Sequence, residues 1–300
     1  VGEWMRAVAP GKRVLLAADA AVDALYGEPV AASLAGAGYQ VARARVPSGE
    51  TSKSSEQLVA LYARCVEAGL DRSSAIVALG GGVVGDLAGY AAATYLRGIR
   101  LIQVPTTLLA MVDSAVGGKT GINLPHGKNL VGSFHQPVLV VCDPDALRSL
   151  PARERAAGLA EIIKYGVIRD SALFAFLEQQ LPRIQAGESA AQEHVIARSC
   201  AIKAEVVAAD EHESGERAIL NFGHTLAHAI ENVAGYGSYL HGEAVGIGMV
   251  YAAELSVRLK GFPAADAARI EALVARAGLP VRAPELAWPA LRRAMGVDKK

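Results

Sequence analysis

The chain has 300 residues, enough for two domains and too many for one small core. It is 52% hydrophobic and 20% charged, and 30 basic residues balance 30 acidic ones, so net charge gives no support to a nucleic-acid or anionic-membrane partner. Cys65, Cys142 and Cys200 lie far apart and are odd in number, which suits reduced thiols in a cytoplasmic protein better than a disulfide frame or a zinc knuckle. The longest apolar stretch, residues 75–96, holds five glycines and Asp86, the wrong composition for a membrane span. No signal peptide is visible. Val1 is not a start methionine and the chain stops on Asp298-Lys299-Lys300, so a fragment of a longer protein is expected.

In chain order, Arg13–Asp19 reads as a strand ending on an acid, 20–38 as a helix closed by glycine, and 39–46 as an alternating strand broken at Pro47-Ser48-Gly49-Glu50. Residues 54–69 form an amphipathic helix with Leu58, Leu61, Tyr62, Cys65 and Val66 on one face. Further strands are expected at 74–79, 101–105 and 138–142. Strands alternating with helices predict a parallel, doubly wound, Rossmann-like sheet, whose ligands bind at the carboxyl ends of strands. Asp19, Glu50, Lys53, Gly80, Gly81, Gly82 and Thr106 fall at or just past such ends. From about Pro151 the strand signals stop. Helical periodicity covers 152–169, 171–180, 190–210, 222–234, 242–260 and 264–277, with Pro182, Gly235, Gly237, Pro263 and Gly278-Leu279-Pro280 as joints. The expected division is an α/β domain over 1–147 and an all-α domain over 148–300, with the active site in the cleft between them.

Chemistry concentrates between Gly80 and Asn129. Gly80, Gly82 and Gly85 satisfy G-x-G-x-x-G between the apolar run Ala75-Ile76-Val77-Ala78-Leu79 and a helix-like stretch over 83–96. Such glycines let the backbone approach a pyrophosphate, and the helix N-terminus offers free N–H groups. The same turn serves equally well for tight packing. The ribose-binding acid expected about 20 residues on is also missing from Arg100-Leu101-Ile102-Gln103-Val104-Pro105.

A second glycine-rich turn, VDSAVGGKTG over 112–121, adds a specific signal. With GGGVVGD at 80–86, VPTTLLAMVDSAVGGKTGIN at 104–123, GKN at 127–129 and further segments downstream, the chain resembles the 3-dehydroquinate synthase family over nearly its whole length. The resemblance implies a dehydroquinate synthase-like fold: a doubly wound α/β N-terminal domain plus an all-α C-terminal domain, as a cytoplasmic homodimer. It also implies a lyase that takes 3-deoxy-D-arabino-heptulosonate 7-phosphate (DAHP) to 3-dehydroquinate, with bound NAD and a divalent metal, Zn2+ or Co2+. NAD would oxidise a secondary alcohol, phosphate would leave by elimination, the ketone would be reduced back, and the ring would open and reclose as a carbocycle.

Glu161, His224 and His241 come from separate helical segments, and long spacing alone leaves them open between metal ligands and satisfied polar groups. The resemblance assigns them to the metal, a three-ligand pattern with open positions. Arg217, Asn221, His224 and His228 stand at i, i+4, i+7 and i+11, and share one polar stripe if the segment is a continuous helix. Lysines and arginines in apolar or glycine-rich sequence need anionic partners. By resemblance Arg97, Asp113, Lys119, Lys128, Asn129, Lys164, Lys203, Arg217, Asn221 and His228 handle substrate, with Asp113 orienting it and His228 suited to proton transfer. For NAD the resemblance points to Asp19, Ser48, Gly49, Glu50, Lys53, Gly81, Gly82, Val83, Val84, Gly85, Asp86, Thr106, Thr107, Lys119, Lys128, Leu147, Ser149, Leu150 and Glu154. Asp19 thus supplies the missing acid from the first strand. Ala21 stands where relatives usually carry asparagine, the loss of a hydrogen bond worth about 0.5–1.5 kcal/mol. Lys299 and Lys300 match a segment that reaches substrate. The rival readings are a sibling sugar phosphate cyclase making a valiolone or an inosose, a metal-dependent alcohol or glycerol dehydrogenase, and a non-catalytic binding protein of the same fold.

Overall fold

Strand β1 (Arg13–Asp19) is buried along both faces, and its alternation sorts its side chains between two cores. Leu15 and Ala17 join one cluster with Val46, Leu58, Leu61, Ile76, Leu87 and Leu101. Val14, Leu16 and Ala18 join the other with Met5, Leu34, Val77, Leu79, Ile102 and Val141. A strand covered on both sides by helices is what a near-continuous apolar run requires. The computed structural model describes residues 1–211, 215–235 and 237–296, and the chain divides into two units, Val1–Ala146 and Leu147–Lys300. Lys299 and Lys300, expected to reach substrate, lie outside the described residues.

The first unit opens with helix α1 (Gly2–Val8). After β1 come α2 (Ala20–Val22), a π-helical turn over Asp23–Gly27, α3 (Glu28–Gly36), β2 (Gln40–Val46), α4 (Ser55–Glu67), β3 (Ala75–Gly80), α5 (Gly82–Thr94) and β4 (Arg100–Pro105). Two antiparallel strands, β5 (Lys119–Leu124) and β6 (Gly127–Phe134), make a separate hairpin before β7 (Leu139–Val140). The main sheet runs β2-β1-β3-β4-β7, every pair parallel. The chain steps outward from β1 to β2, then resumes on the other side at β3. That reversal between β1 and β3 is the switch point where open α/β sheets bind ligands, and it places the ends of β1 and β3, Asp19 and Gly80, side by side.

The second unit holds α6 (Ala152–Ile168), α7 (Ser171–Gln185), α8 (Ser189–Ala209), a 3-10 turn over Glu216–Asn221, α9 (His224–Ala234), α10 (His241–Lys260), α11 (Ala264–Arg276) and α12 (Trp288–Met295). Two expectations need correcting. Pro182 is not a joint but lies inside α7. Its missing N–H leaves the carbonyl of Glu178 without the usual helical donor, and Arg276 supplies one at 2.8 Å. The polar stripe from Arg217 to His228 is not one helix. Phe222 (φ −54°, ψ 122°) and Gly223 (φ +81°) break the chain between the 3-10 turn and α9. No helix among the described residues is long and apolar enough to cross a membrane.

Candidate active site

In the first unit the site grows from the strand ends. The sheet pairs Gly80 with Pro105, and the N–H of Thr106 donates to the Gly80 carbonyl at 3.0 Å, so the glycine turn and Thr106-Thr107 stand together. A Cβ on Gly81 would meet Thr107 Cγ2 at 3.2 Å, and one on Gly82 would meet Ser114 Oγ at 3.1 Å. Gly81 caps α5 without any side-chain hydrogen bond, so Gly82, Val83 and Val84 present the first turn's N–H groups, with Gly85 closing it, as an anion site. Asp19 ends β1. Its Oδ1 accepts from the N–H groups of Ala21 and Val22 at 2.8 and 3.2 Å and from Ser48 Oγ at 2.8 Å, and its Oδ2 has no hydrogen-bonding partner among the described residues. A short bare helix start beside a fixed strand-end acid fits a dinucleotide.

Beside this turn lies a polar knot. Lys53 is 4% exposed and its Nζ donates to Asp86 Oδ2 at 2.6 Å and also to Asn129 Oδ1. Asn123 donates from Nδ2 to Glu50 Oε1 at 2.8 Å, and its Oδ1 accepts from the N–H of Asn129 at 2.9 Å. Asn129 is thereby held at φ +53°, a left-handed conformation that asparagine tolerates better than most side chains. Burial raises the pKa of Asp86 and outweighs the neighbouring Lys53 ammonium. Lys119 and Lys128 sit on this same hairpin, and Asp113 on a π-helical turn, Ala110–Ser114. Gly49, at φ +105°, turns the chain into Glu50. Arg97 is not drawn into the knot. It is exposed after Leu96 on a turn where both have positive φ, 51° and 67°, and it has no hydrogen-bonding partner among the described residues.

In the second unit three helices converge on Glu161. This carboxylate is 0% exposed in the middle of α6. His224 opens α9 and His241 opens α10, and their Nε2 atoms stand 3.5 and 3.6 Å from Glu161 Oε1. All three donor atoms lie within 4.8 Å of one another. Two glycines permit the approach. A Cβ on Gly242 would lie 1.9 Å from the Ala157 carbonyl oxygen, and one on Gly248 would lie 1.9 Å from that of Gly223. Backbone therefore packs on backbone where α10 crosses α6 and the turn before α9. At the start of α10, Arg153 clamps Glu243 through two bonds of 2.6 and 2.7 Å, and Glu243 in turn accepts from the Leu240 N–H.

Among the described residues Oε1 of Glu161 has no hydrogen-bonding partner, while Oε2 is held in a close ion pair with Lys164. Burial alone would raise the pKa of Glu161, but Lys164, His241 and His224 outweigh it and hold the carboxyl well below its usual range. Burial opposes charge on His241 too, yet Glu161 and Glu231 together push it up to about 10. Lys164 pairs with Oε2, but Oε1 faces two imidazole nitrogens at 3.5 and 3.6 Å, too far for hydrogen bonds and suited to a shared cation. The two separations from Glu161, 3.5 and 3.6 Å, suit atoms sharing one ion about 2.0–2.2 Å from each. The donor set, one carboxylate and two imidazoles, fits a divalent metal of the zinc or cobalt type.

Lys164 and His228 adjoin this centre, and the second unit carries further buried cations. Lys164 is 2% exposed and 5.2 Å from the Tyr165 ring centroid, and Lys203 is buried on α8. Arg217, 1% exposed, donates from Nη1 to the Glu211 carbonyl at 2.6 Å, and its N–H donates to Asp210 Oδ2 at 3.1 Å. The His228 ring lies 5.6 Å from that of His224, edge to face, and Asn221 ends the 3-10 turn. Leu147 and Leu150 offer carbonyls to Arg155, with Ser149 between them. Burial raises the pKa of Glu154. Sequence reasoning missed Asn123, Glu243 and Glu231. Glu231 carried a readable signal, since it stands seven residues after His224 and so on the same helix face.

The profile described as 3-dehydroquinate synthase N-terminal matches residues 43–157, and the one described as 3-dehydroquinate synthase C-terminal matches 158–300. A 3-dehydroquinate synthase of Symbiobacterium thermophilum is 57% identical over 278 residues, covering 91% of this chain and 76% of that protein. One from Geobacter metallireducens is 52% identical over 300 residues, covering 100% of this chain and 83% of the relative. Among solved structures, 2-epi-5-epi-valiolone synthase from Streptomyces hygroscopicus subsp. jinggangensis, with NAD+ and Zn2+ bound, superposes with a TM-score of 0.89 at 32% identity over 95% of this chain and 79% of that one. The chain belongs to the 3-dehydroquinate synthase family.

Proposed function

We propose that the chain converts DAHP to 3-dehydroquinate and phosphate, with the residues of the first unit binding NAD and those of the second holding a divalent metal and the substrate's anionic groups. The observation that carries this is Glu161. It is a fully buried carboxylate, ion-paired to Lys164 through Oε2 and faced at Oε1 by two imidazole nitrogens. A plain alcohol dehydrogenase needs a cofactor and a metal, but not the buried cations Lys164, Lys203 and Arg217 in the unit that holds the metal ligands. A phosphorylated sugar acid does call for them.

When bound, NAD supplies a reversible hydride acceptor, and the metal supplies a Lewis acid and template. The chain's own residues do the rest. Gly81, Gly82, Thr106 and Thr107 form the bed for the dinucleotide, with Asp19 as its strand-end acid. Lys164, Lys203 and Arg217 are fixed cations in low-dielectric surroundings, where they stabilise developing negative charge without reorganising. His228, half-buried beside His224, is placed to hold or pass a proton at its ring nitrogen. Asp113, Lys119, Lys128 and Asn129 are taken as substrate- and cofactor-orienting groups, and Arg97 as a further anion contact. The same reading takes the chain as a cytoplasmic homodimer, which sedimentation at working concentration tests. Incubation with DAHP, NAD and zinc should yield phosphate and a carbocyclic product. A sugar phosphate without the carboxylate should be turned over poorly, and equal turnover of the two would favour a sibling cyclase.

A further inference from the structure

Each histidine that faces Glu161 is anchored at its other nitrogen, and the two anchors differ in charge. Nδ1 of His224 lies 3.2 Å from the Phe222 carbonyl oxygen, a neutral acceptor. Nδ1 of His241 lies 3.5 Å from Glu231 Oε2, a carboxylate. Glu231 sits on α9 one further turn past His228, on the face that carries His224 and His228, and its side chain is 13% exposed. His241 is the first residue of α10, and the backbone there is already fixed by the Arg153–Glu243 clamp and by Gly242 against Ala157. The freedom left to His241 is rotation of its ring. A carboxylate on the Nδ1 side selects the tautomer with its proton on Nδ1 and turns the Nε2 lone pair toward Glu161.

We propose that Glu231 is a positioning residue for His241, setting the orientation and basicity of that imidazole and through it the affinity of the second unit for its metal. The inference rests on the reading of Glu161, His224 and His241 as metal ligands. It assigns Glu231 no contact with substrate. An outer acceptor that is anionic makes the imidazole a stronger donor than the carbonyl does for His224, so the two histidines are unequal, and His241 is the one whose donor strength the protein tunes.

The test measures metal binding directly, in the full chain, by competition of Zn2+ against a chromophoric chelator and by the visible absorption of the Co2+-loaded protein. Glu231→Gln keeps an acceptor oxygen for Nδ1–H but removes the charge, and Glu231→Ala removes both. The expected order of metal dissociation constants is wild type, then Gln, then Ala, with Ala about 10–100-fold weaker than wild type. The Co2+ band of the Ala variant should also shift, because its ring is no longer held. Turnover should return toward wild type at saturating metal, which a folding defect would not allow. Glu231→Ala binding zinc within twofold of wild type, with an unchanged Co2+ spectrum, overturns the proposal. Should Glu231→Ala fail to fold, Glu231→Gln carries the comparison, and wild-type affinity and spectrum in that variant would equally overturn it. His241→Ala separates the two levels: if it retains full metal occupancy, the ligand assignment itself fails; if it loses metal while both Glu231 variants behave as wild type, only the role of Glu231 falls.

Discussion

Replacing Gly242 by alanine should disable the metal centre without touching a ligand. The added Cβ would lie 1.9 Å from the Ala157 carbonyl oxygen and 2.5 Å from its carbon, whereas ordinary contact begins near 3.4 Å, so the first turn of α10 must retreat by about 1.5 Å. Both obstructing atoms are backbone of α6, which has no rotamer to offer. His241 precedes Gly242 directly and moves with it, while metal–ligand distances tolerate only about ±0.2 Å. Overpacking of this kind costs about 1–3 kcal/mol, and a backbone–backbone clash belongs at the upper end. At about 2–4 °C per kcal/mol for a domain of this size, 3 kcal/mol lowers the melting temperature by about 6–12 °C. Gly246→Ala is the control on the same helix. Its Cβ would meet Val274 Cγ1 at 3.2 Å and Leu279 Cβ at 3.4 Å, side chains that can yield by a few tenths of an ångström. The assay is zinc affinity and thermal melting of both variants in parallel. Gly242→Ala with wild-type zinc affinity and melting temperature would refute the claim that the α6–α10 contact sets the geometry of the centre.

Three further outcomes follow from the same geometry. His241→Ala should keep its fold but lose metal and activity together, by more than the roughly 10–100-fold typical of an outer-shell change, as metal analysis of the purified variant would reveal. Lys53→Met strands Asp86 and frees Asn129; it should cost about 1–3 kcal/mol in chemical denaturation and weaken NAD binding by calorimetry, and a variant with wild-type stability and NAD affinity would contradict the linking role of Lys53. Asp170 caps α7 through the Leu173 N–H at 2.9 Å and pairs with Arg198, and these hold its pKa below 3.8. A depressed folded pKa gives stability that is present above the unfolded value and lost as pH falls through the folded one. Below about pH 3.8 the wild type should therefore lose stability more steeply than Asp170→Asn, and parallel pH profiles would count against the cap.

The main sheet was legible because its strands are continuous apolar runs ended by Asp19, Gly80 and Pro105, and both faces are covered. The hairpin β5–β6 was not. Gly121 reads as the end of a glycine-rich turn and no strand is expected at Gly132, yet a Cβ on either would strike the opposite strand, at 2.6 Å from the Val131 oxygen and 2.1 Å from the Thr120 oxygen respectively. These glycines allow strands to approach, a reason that local pattern does not carry. The break at Phe222–Gly223 was hidden for a related reason, since the left-handed Gly223 answers to Gly248 on α10, which is distant in sequence. Most candidate site residues could be named by resemblance alone. Their partners Asn123 and Glu243 could not, because what marks them is the neighbour each one meets after folding; Glu231 showed only its helical spacing from His224.

The central claim is that NAD is used and restored within each turnover. The direct measurement follows phosphate release from DAHP and absorbance of reduced cofactor in one reaction, with metal saturating and NAD far below substrate. The account predicts phosphate in stoichiometric yield against DAHP, many turnovers per NAD, and no accumulation of NADH. NADH rising in step with product, with turnover stopping when NAD is exhausted, would make the chain a dehydrogenase and contradict the account.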